Sequence, residues 1–225
     1  MKIIILDEVD STNDYIERYI KGGEDVAVAA KAQTKGRGTK GRSFVSDEGG
    51  LYVSVLKFYN NLPADRAFSI ISDTAVAVVK TLSAFGISAK IKWPNDILVD
   101  GKKICGILTE SALTGDIVDH SVIGIGINLN NDIPPELADI AVSAKRILNK
   151  QVDIKAVLFT LLYNLEQKQE VDLYARYSCV LGQSITVFKP DGSSFSAIAE
   201  EILPDGRLKL CGGEVLTSAE IKIKP

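Results

Sequence analysis

Residues 26–57 read VAVAAKAQTKGRGTKGRSFVSDEGGLYVSVLK, with an apolar run on each side of a basic, glycine-rich segment. The apolar runs at 26–31 and 51–57 predict two strands. Between them, residues 36–42 alternate glycines with cations. Glycine adopts positive φ without steric cost and lets backbone N–H groups approach an anion, while Arg adds planar paired donors. The stretch therefore predicts two strands that present an anion-binding loop, with a mobile, solvated basic loop as the alternative.

The composition describes a folded protein in which the basic loop is a local feature. The chain has 225 residues, of which 46% are hydrophobic and 24% are charged, and this length suggests one large domain or one domain with a small appendage. Its formal net charge is -3, so we expect no nucleic-acid partner. The apolar run at 3–6 is too short for a signal peptide or a membrane span, so we expect no membrane partner.

The cysteines and the histidine argue against several kinds of active site. Cys105, Cys179 and Cys211 are widely spaced and odd in number, which indicates buried thiols in a reducing cytoplasm rather than metal ligands. His120 is the only histidine, so neither a zinc site nor a histidine-dependent triad is expected.

Strand and helix signals alternate over about the first 175 residues, which is typical of a mixed α/β domain. One helix is expected to begin at Ser11 or Thr12 and to end at the glycines at 22–23. Asp100 and Gly101 separate two apolar runs and predict a two-residue hairpin. Further strands are predicted at 3–6 and 121–128, and further helices at 65–85 and 154–174.

The character of the sequence changes after Ser178. Short strand signals are separated by glycine turns at 191–192, 205–206 and 212–213, and no helical period is present. Residues 178–225 therefore predict a small β-barrel domain that packs against its larger neighbour.

The basic loop matches neither a Walker A loop nor a dinucleotide fingerprint. Four other polar segments could bind the same anion as this loop. Residues 11–13 (STN) cluster at a helix start, where capping alone would explain one of them. Residues 92–96 (KWPND) combine a cation, a stacking surface, a rigid turn, an amide and a carboxylate. Residues 102–103 follow the hairpin turn, where solvated edge charges are common. Asn128 and Asn130 end an apolar strand, where polar caps are common.

Taken together, these segments resemble biotin–protein ligase. The motifs are QTKGRGTKGR at 33–42, KWPND at 92–96, KICGI at 103–107 and GIGINLN at 124–130. In addition, VDSTN at 9–13 fits the first biotin-contacting segment of that family, and GGLY at 49–52 fits the strand after its basic loop. The resemblance runs in order across nearly the whole chain. The combination of KWPND with the basic loop is specific, whereas each piece alone is not.

The resemblance implies an α+β fold. A class II aminoacyl-tRNA synthetase-like mixed sheet with helices would form a catalytic domain at 1–177, followed by a small SH3-like β-barrel at 178–225. Family members that also repress transcription carry an N-terminal helix-turn-helix domain, and a first strand beginning at Lys2 leaves no room for one. We therefore expect the ligase-only form, in the cytoplasm. Ligase-only relatives are often dimers through the catalytic sheet, which leaves monomer and homodimer open.

The resemblance also implies a two-step reaction that uses biotin, ATP and Mg²⁺. The biotin carboxylate attacks the α-phosphate of ATP, which forms biotinyl-5′-AMP and pyrophosphate. A lysine on the biotin carboxyl carrier domain of a biotin-dependent carboxylase then attacks the mixed anhydride and releases AMP. Neither step needs a covalent enzyme nucleophile, so catalysis must come from positioning and from cations placed where phosphate charge develops.

The motifs imply residue roles by position. Catalytic roles fall to Lys103, Arg37 and Arg42, and Lys103 matches the lysine that meets the biotin carboxylate. Biotin contacts are implied for Ser11, Thr12, Asn13, Gln33, Arg37, Gly38, Thr39, Lys103 and Gly106. ATP contacts are implied for Arg37, Lys40, Arg42, Phe44, Trp93, Asn95, Asp96 and Asn128, with Asp96 as the candidate Mg²⁺ ligand. Because the bicyclic ring of biotin is mostly apolar, we expect Gly106 and Gly124 to form thin walls of its pocket.

Three positions depart from the family pattern. Thr39 stands where the family loop has a second arginine, so retention of the adenylate is expected to depend on Lys40. Phe44 replaces a tryptophan and offers adenine a smaller stacking face. Residues 213–215 resemble a C-terminal motif that reaches towards ATP, but Ser218 stands where a basic residue is expected.

Two other functions are open from the sequence. A lipoate–protein ligase shares the fold and the adenylation logic, although it lacks KWPND and uses a different basic loop. A non-enzymatic module would bind an anion through the loop and a partner through the barrel. It gives no reason for Lys103, Asn95 and Asp96 to accompany the loop.

Overall fold

A seven-stranded mixed sheet forms the centre of the computed structural model, which describes residues 1–170, 172–189, 191–217 and 219–223. Its strands are β1 (Lys2–Val9), β2 (Val26–Gln33), β3 (Leu51–Pro63), β4 (Lys90–Lys92), β5 (Asp96–Val99), β6 (Lys102–Thr114) and β7 (Ile117–Ile127). The strand order is β1-β2-β3-β7-β6-β5-β4. β1 runs parallel to β2, and the other neighbouring pairs are antiparallel. The predicted mixed α/β character of this part is confirmed.

Among the described residues, the α-helices are α1 (Thr12–Ile16), α2 (Phe68–Ala84), α3 (Ala144–Leu148), α4 (Ile154–Glu166) and α5 (Leu173–Tyr177). Short 3-10 turns lie at Glu17–Gly22, Thr39–Gly41, Ala64–Arg66 and Pro135–Leu137. α2 lies on the sheet beside β4, β5 and β6 and packs against α4 and α5. By length and composition alone, Ala64–Ala84 would pass as a membrane span, but half of its most apolar window is buried in this core.

Several predicted elements are confirmed. Asp100 and Gly101 join β5 to β6 with φ values of 47° and 77°, the positive values that a type I′ hairpin turn requires. Ser11 is the N-cap of α1, and Gly23, at φ 64°, ends the 3-10 turn that follows α1. The two strands predicted around the basic loop are β2 and β3.

The single helix predicted at 154–174 is wrong, because the chain forms two helices there. α4 ends at Glu166 and α5 begins at Leu173. The buried side chain of Gln169 explains the break, since its Nε2 donates to the backbone carbonyl of Asn164 at 2.9 Å. The Gln169 side chain therefore bonds to a carbonyl near the C-terminus of α4 that a further helical turn would otherwise bond.

The strand ends also differ from the prediction. β7 begins before position 121 and ends at Ile127, so Asn128 lies just beyond the strand. β4 and α3 were not predicted, because three to five residues are too few to show a period.

The C-terminal strands form a second sheet. They are β8 (Ser184–Phe188), β9 (Ser194–Ile202), β10 (Leu208–Leu210), β11 (Val215–Leu216) and β12 (Glu220–Ile223), all antiparallel in the order β11-β10-β9-β8-β12. Within the described part of this segment, β11 and β12 lie at opposite edges and do not pair, so the sheet is open. The all-β character is confirmed, whereas closure into a barrel is not. Ser218, where a basic residue was expected, lies outside the described residues.

The second sheet packs on the first and shares its hydrophobic core. Trp93 Nε1 donates to the carbonyl of Gly206 at 2.8 Å, and the backbone N–H of Cys179 donates to the carbonyl of Ile91 at 2.9 Å. One continuous cluster of buried side chains includes Ile91 and Trp93 together with Leu208 from the second sheet. The division of the chain into two domains stays a prediction.

Candidate functional site

The residues with predicted biotin contacts all line one cavity on the face of the large sheet away from α2. They are Ser11, Thr12, Asn13, Gln33, Arg37, Gly38, Thr39, Lys103 and Gly106. Ile123, Ile125 and Ile127 of β7 pack in the core beneath α2, so the glycines between them face this cavity. The enclosed free volume is about 50 Å³, which makes the cavity narrow.

The N-terminus of α1 supplies the polar end of this cavity. The Ser11 hydroxyl accepts from the backbone N–H of Asp14 at 3.4 Å, so capping explains the local role of Ser11. Thr12 and Asn13 are equally buried, but they bond to side chains on distant strands. Capping therefore accounts for one of the three residues.

A hydrogen-bond network holds the polar end in place. Gln33 Oε1 accepts from the backbone N–H of Thr12 at 2.8 Å and from its hydroxyl at 3.0 Å, while Gln33 Nε2 donates to Ser46 at 2.9 Å. The Ser54 hydroxyl on β3 lies 2.8 Å from Thr12 Oγ1 and 2.5 Å from Asn13 Oδ1. Ser46 and Ser54 are buried and were not predicted. The hydroxyl of Ser54 stands out within the apolar strand β3, but its partner Asn13 is 41 positions away, and the sequence does not show that the two meet.

A second unpredicted residue, Glu110 on β6, connects this network to the basic loop. Its Oε2 accepts from Asn13 Nδ2 at 2.9 Å, and its Oε1 accepts from the Arg37 guanidinium. The same guanidinium also donates to Asp14. Burial lowers the pKa of Arg37, but the two carboxylates outweigh burial and leave that pKa raised. The loop cation is therefore held between α1 and β6.

Glycines leave room for the side chains that cross this cavity. A Cβ at Gly124 would lie 2.3 Å from Asn13 Oδ1, and a Cβ at Gly106 would lie 2.9 Å from Lys103 Nζ. Both distances are shorter than carbon approaches these atoms, so a larger residue would have to displace a polar group of the site.

Lys103 lies between a carboxylate and an aromatic ring. Its Nζ is 2.6 Å from Asp96 Oδ1 and 5.8 Å from the centre of the Phe44 ring. Cys105, two residues further along β6, is fully buried, and burial raises the pKa of its thiol. This thiol is therefore a core group and not a nucleophile.

A second cavity, of about 240 Å³, adjoins the first and collects most of the predicted nucleotide residues. These are Lys40, Arg42, Trp93, Asn95 and Asp96. The two cavities share Thr39, Asn95, Ile107 and Leu108 in their walls. Lys92 of β4 and Glu220 of β12 also line the second cavity. The Glu220 carboxylate pairs with Arg42. A ligand with an apolar ring at one end and phosphate at the other could extend through both.

Some predicted nucleotide residues lie elsewhere or are packed. Arg37 and Phe44 line the first cavity, and Asn128 lines a third cavity of about 180 Å³ that shares Phe44 and Lys103 with the first. Trp93 reaches the second cavity but is 2% exposed, and its Nε1 bonds to Gly206. Trp93 therefore packs the two sheets together and offers little ring surface for stacking.

Asp96 has the chemistry of a magnesium ligand. In the described ranges, no group of three or more His, Cys, Asp and Glu residues could hold a metal ion. Magnesium commonly binds through one or two carboxylates and completes its shell with water and substrate phosphates. The Asp96 carboxylate, in the wall of the second cavity, fits that donor set, and its Oδ1 pairs with Lys103.

Comparison with known proteins gives three kinds of match. Residues 6–128 match the model of the biotin/lipoate A/B protein ligase family. The bifunctional ligase/repressor BirA of Bacillus subtilis (strain 168) is 41% identical over 150 residues, which are 64% of this chain and 46% of that protein. A biotin--[acetyl-CoA-carboxylase] ligase of Paracoccus denitrificans is 33% identical over 132 residues, which are 56% of this chain and 53% of that protein. The chain thus spans about half the length of these relatives.

A solved structure also matches over the whole chain. It is biotin protein ligase from Aquifex aeolicus in complex with biotin and ATP, with a TM-score of 0.77 and 28% identity. The match covers 99% of this chain and 98% of that one.

Proposed function

Because the chain belongs to the biotin/lipoate A/B protein ligase family, we propose that it is an ATP-dependent biotin–protein ligase. It activates biotin as biotinyl-5′-AMP and transfers the biotinyl group to a lysine of a biotin carboxyl carrier domain. One observation carries the proposal: a narrow cavity with a polar end shares a wall with a cation-lined cavity. Lys103 in the wall of the first pairs with Asp96 in the wall of the second.

The polar end of the first cavity favours biotin over lipoate. The ring of biotin contains a cyclic urea with two N–H donors and one carbonyl acceptor, whereas the dithiolane ring of lipoate has none of these groups. Thr12, Asn13 and Gln33 bring both donors and acceptors to this end. The cyclic urea can form hydrogen bonds with these groups in addition to their bonds within the protein, whereas a dithiolane can form none, which disfavours lipoate.

In the first step, Lys103 holds the biotin carboxylate near the nucleotide. One carboxylate oxygen forms a bond to the α-phosphorus of ATP, and the bond from that phosphorus to the pyrophosphate oxygen breaks. Lys40 and Arg42, in the wall of the second cavity, stabilise the negative charge that develops on the phosphates, while Arg37 of the same loop lines the first cavity. Bound Mg²⁺ would offset part of the same charge, with Asp96 as its protein ligand.

In the second step, the neutral amine of the carrier lysine attacks the carbonyl carbon of the adenylate. The bond between that carbon and the phosphate oxygen breaks, AMP leaves with the bonding electrons, and the new amide nitrogen loses a proton to solvent. The first cavity is expected to hold the biotin ring throughout, so that the carbonyl stays fixed while the amine approaches.

The finer description of the fold belongs to the same proposal. We assign residues 1–177 to a class II aminoacyl-tRNA synthetase-like catalytic domain and 178–225 to an SH3-like domain, supported by the change from a mixed sheet to an all-antiparallel sheet. Free Cys105, Cys179 and Cys211 support a reducing cytoplasm as the location. Monomer and homodimer are both compatible with the proposal.

Pyrophosphate release tests the proposed activity. The protein mixed with ATP and Mg²⁺ is expected to release pyrophosphate when biotin is added and not when lipoate is added. Lys103→Ala should slow the release by about 100-fold, because it removes the cation that holds the reacting carboxylate. Release with lipoate and not with biotin would overturn the choice of substrate. Failure to release pyrophosphate with either acid would favour a non-enzymatic binding module.

A further inference from the structure

Glu110 joins two parts of the site that no sequence motif connects. Glu110 lies on β6 and belongs to neither of two motif segments, residues 11–13 at the polar end and the basic loop at 36–42. Its two carboxylate oxygens nevertheless bond to both segments. Oε2 accepts from Asn13 Nδ2 at 2.9 Å, and Oε1 accepts from the Arg37 guanidinium. The contact between Asn13 and Glu110 spans 97 positions in the chain, so no local sequence pattern indicates it.

The contacts around Asn13 determine which way its amide faces. An ionised carboxylate only accepts hydrogen bonds, so the Asn13 nitrogen must face Glu110. The Ser54 hydroxyl, 2.5 Å from Asn13 Oδ1, acts as a donor on the opposite side of the amide. Asn13 Oδ1 also lies against Gly124, in the wall of the first cavity. The carbonyl oxygen of Asn13 is therefore the atom that faces a ligand.

We propose that Glu110 is a positioning residue that sets the specificity of the first cavity for a ring with N–H donors. It turns the Asn13 amide so that its oxygen, an acceptor, meets the ring N–H of the ligand. The same carboxylate anchors Arg37, so the polar end and the basic loop are fixed together. This inference rests on the proposed function, because the donor-bearing ring is the cyclic urea of biotin.

Asp14 provides a matched control for Glu110. Both carboxylates accept from Arg37, and their side chains are similarly exposed, 43% for Asp14 and 40% for Glu110. Only Glu110 also contacts Asn13. Glu110→Gln and Asp14→Asn therefore remove the same kind of charge from Arg37, but only Glu110→Gln releases the orientation of Asn13, since a glutamine amide can turn either its oxygen or its nitrogen towards it.

Biotin affinity, measured by calorimetry without ATP, tests the positioning role. Glu110→Gln is expected to weaken binding by about tenfold more than Asp14→Asn does, because a hydrogen bond to a charged group has been lost at the ligand-facing amide. In an Asn13→Ala background, the two substitutions should weaken binding equally. Equal losses with Asn13 present would overturn the proposal.

The Asn13 side-chain amide signal in the NMR spectrum tests the same role without biotin. It should move further in Glu110→Gln than in Asp14→Asn, whose small shift reflects the neighbouring position in the chain, and an equal or smaller shift in Glu110→Gln would overturn the proposal. If the unsubstituted protein binds no biotin, the proposed function fails and this signal alone decides the role of Glu110. Should Glu110→Gln not fold, Glu110→Asp replaces it, since the shorter side chain keeps the charge but cannot reach both partners.

Discussion

Lys103 and Arg42, two of the cations that we assign to carboxylate and phosphate binding, are paired with carboxylates of the protein. Lys103 pairs with Asp96 and Arg42 with Glu220, and these four side chains are between 27% and 62% exposed. Ion pairs at such exposure contribute at most about 1 kcal/mol each. An anionic ligand can therefore replace the protein carboxylate as the partner of Lys103 or Arg42 at little cost in free energy. Before the ligand binds, the ion pair keeps the cation near its place in the site.

The wall at Gly124 gives a prediction for biotin affinity. Gly124→Ala should weaken binding by about tenfold or more, because the added Cβ would lie 2.3 Å from Asn13 Oδ1 and would displace the proposed acceptor. Calorimetry with biotin measures the effect. Gly22→Ala is the control, since a Cβ there meets nothing within 4 Å. Equal affinity in both variants would show that Asn13 does not contact the ring.

Thr39, in the wall shared by the two cavities, gives a prediction for adenylate release. Thr39→Arg should slow the release of biotinyl-5′-AMP by about tenfold, through one added charge-assisted hydrogen bond to the phosphate. A stopped chase of preformed labelled adenylate measures the rate. Thr39→Gln adds length without charge and should have a smaller effect. Unchanged release in Thr39→Arg would contradict the placement of the phosphate beside this residue.

Residues within local motifs could be predicted from the sequence, and residues that act across the sheet could not. The glycine-rich spacing around Arg37 and the position of Lys103 after a hairpin turn are local patterns. Ser54 and Glu110 become part of the site only when β3 and β6 pair with β7. Their partner Asn13 is 41 and 97 positions away, a distance at which a single sequence contains no pairing signal.

Among the secondary-structure elements, the C-terminal sheet contributes directly to the second cavity. Glu220 of β12 pairs with Arg42 of the basic loop, and the carbonyl of Gly206 accepts from Trp93. The segment between β4 and β5, which contains Trp93, therefore contacts both sheets. We expect that loosening this contact destabilises the whole fold and not only the C-terminal part.

Trp93 gives a prediction for stability. Trp93→Phe should lower the free energy of unfolding by about 2–4 kcal/mol, because it leaves the Gly206 carbonyl unpaired and removes buried volume. Denaturant unfolding should be followed by circular dichroism, since Trp93 is the only tryptophan. Tyr163→Phe, on a side chain that is 64% exposed, should change the free energy by less than about 0.5 kcal/mol. Stability equal to that of the control would mean that the contact between the sheets is weak.

Elements with strong local signals were predicted, and those ended by tertiary contacts were not. The hairpin between β5 and β6 follows from Asp100 and Gly101, whose backbone preferences match the turn. The break between α4 and α5 depends on Gln169, which is buried only because the helices pack together. Residues 166–170 read EQKQE and contain no glycine or proline that would mark a helix end, so the sequence suggests one helix.

In the whole molecule, a large hydrophobic core lies beneath both cavities, and a smaller one packs α1 on the large sheet through Ile16. Buried side chains of the large sheet, of α2 and of the C-terminal sheet form a single cluster. The walls of the two cavities are therefore fixed relative to each other, as a reaction between a carboxylate in one and a phosphate in the other requires. The composition break after Ser178 predicted a small β-barrel, of which the all-β character is confirmed, but it did not predict that this segment would complete the second cavity.

Transfer of labelled biotin to a carrier domain tests the proposed activity in full. The protein is mixed with ATP, Mg²⁺, radiolabelled biotin and an isolated biotin carboxyl carrier domain. A second reaction contains the same domain with its acceptor lysine changed to arginine. We predict acid-stable label on the first domain and none on the second. Labelled lipoate attached in place of biotin, or no label on either domain while the protein is folded, would contradict the account.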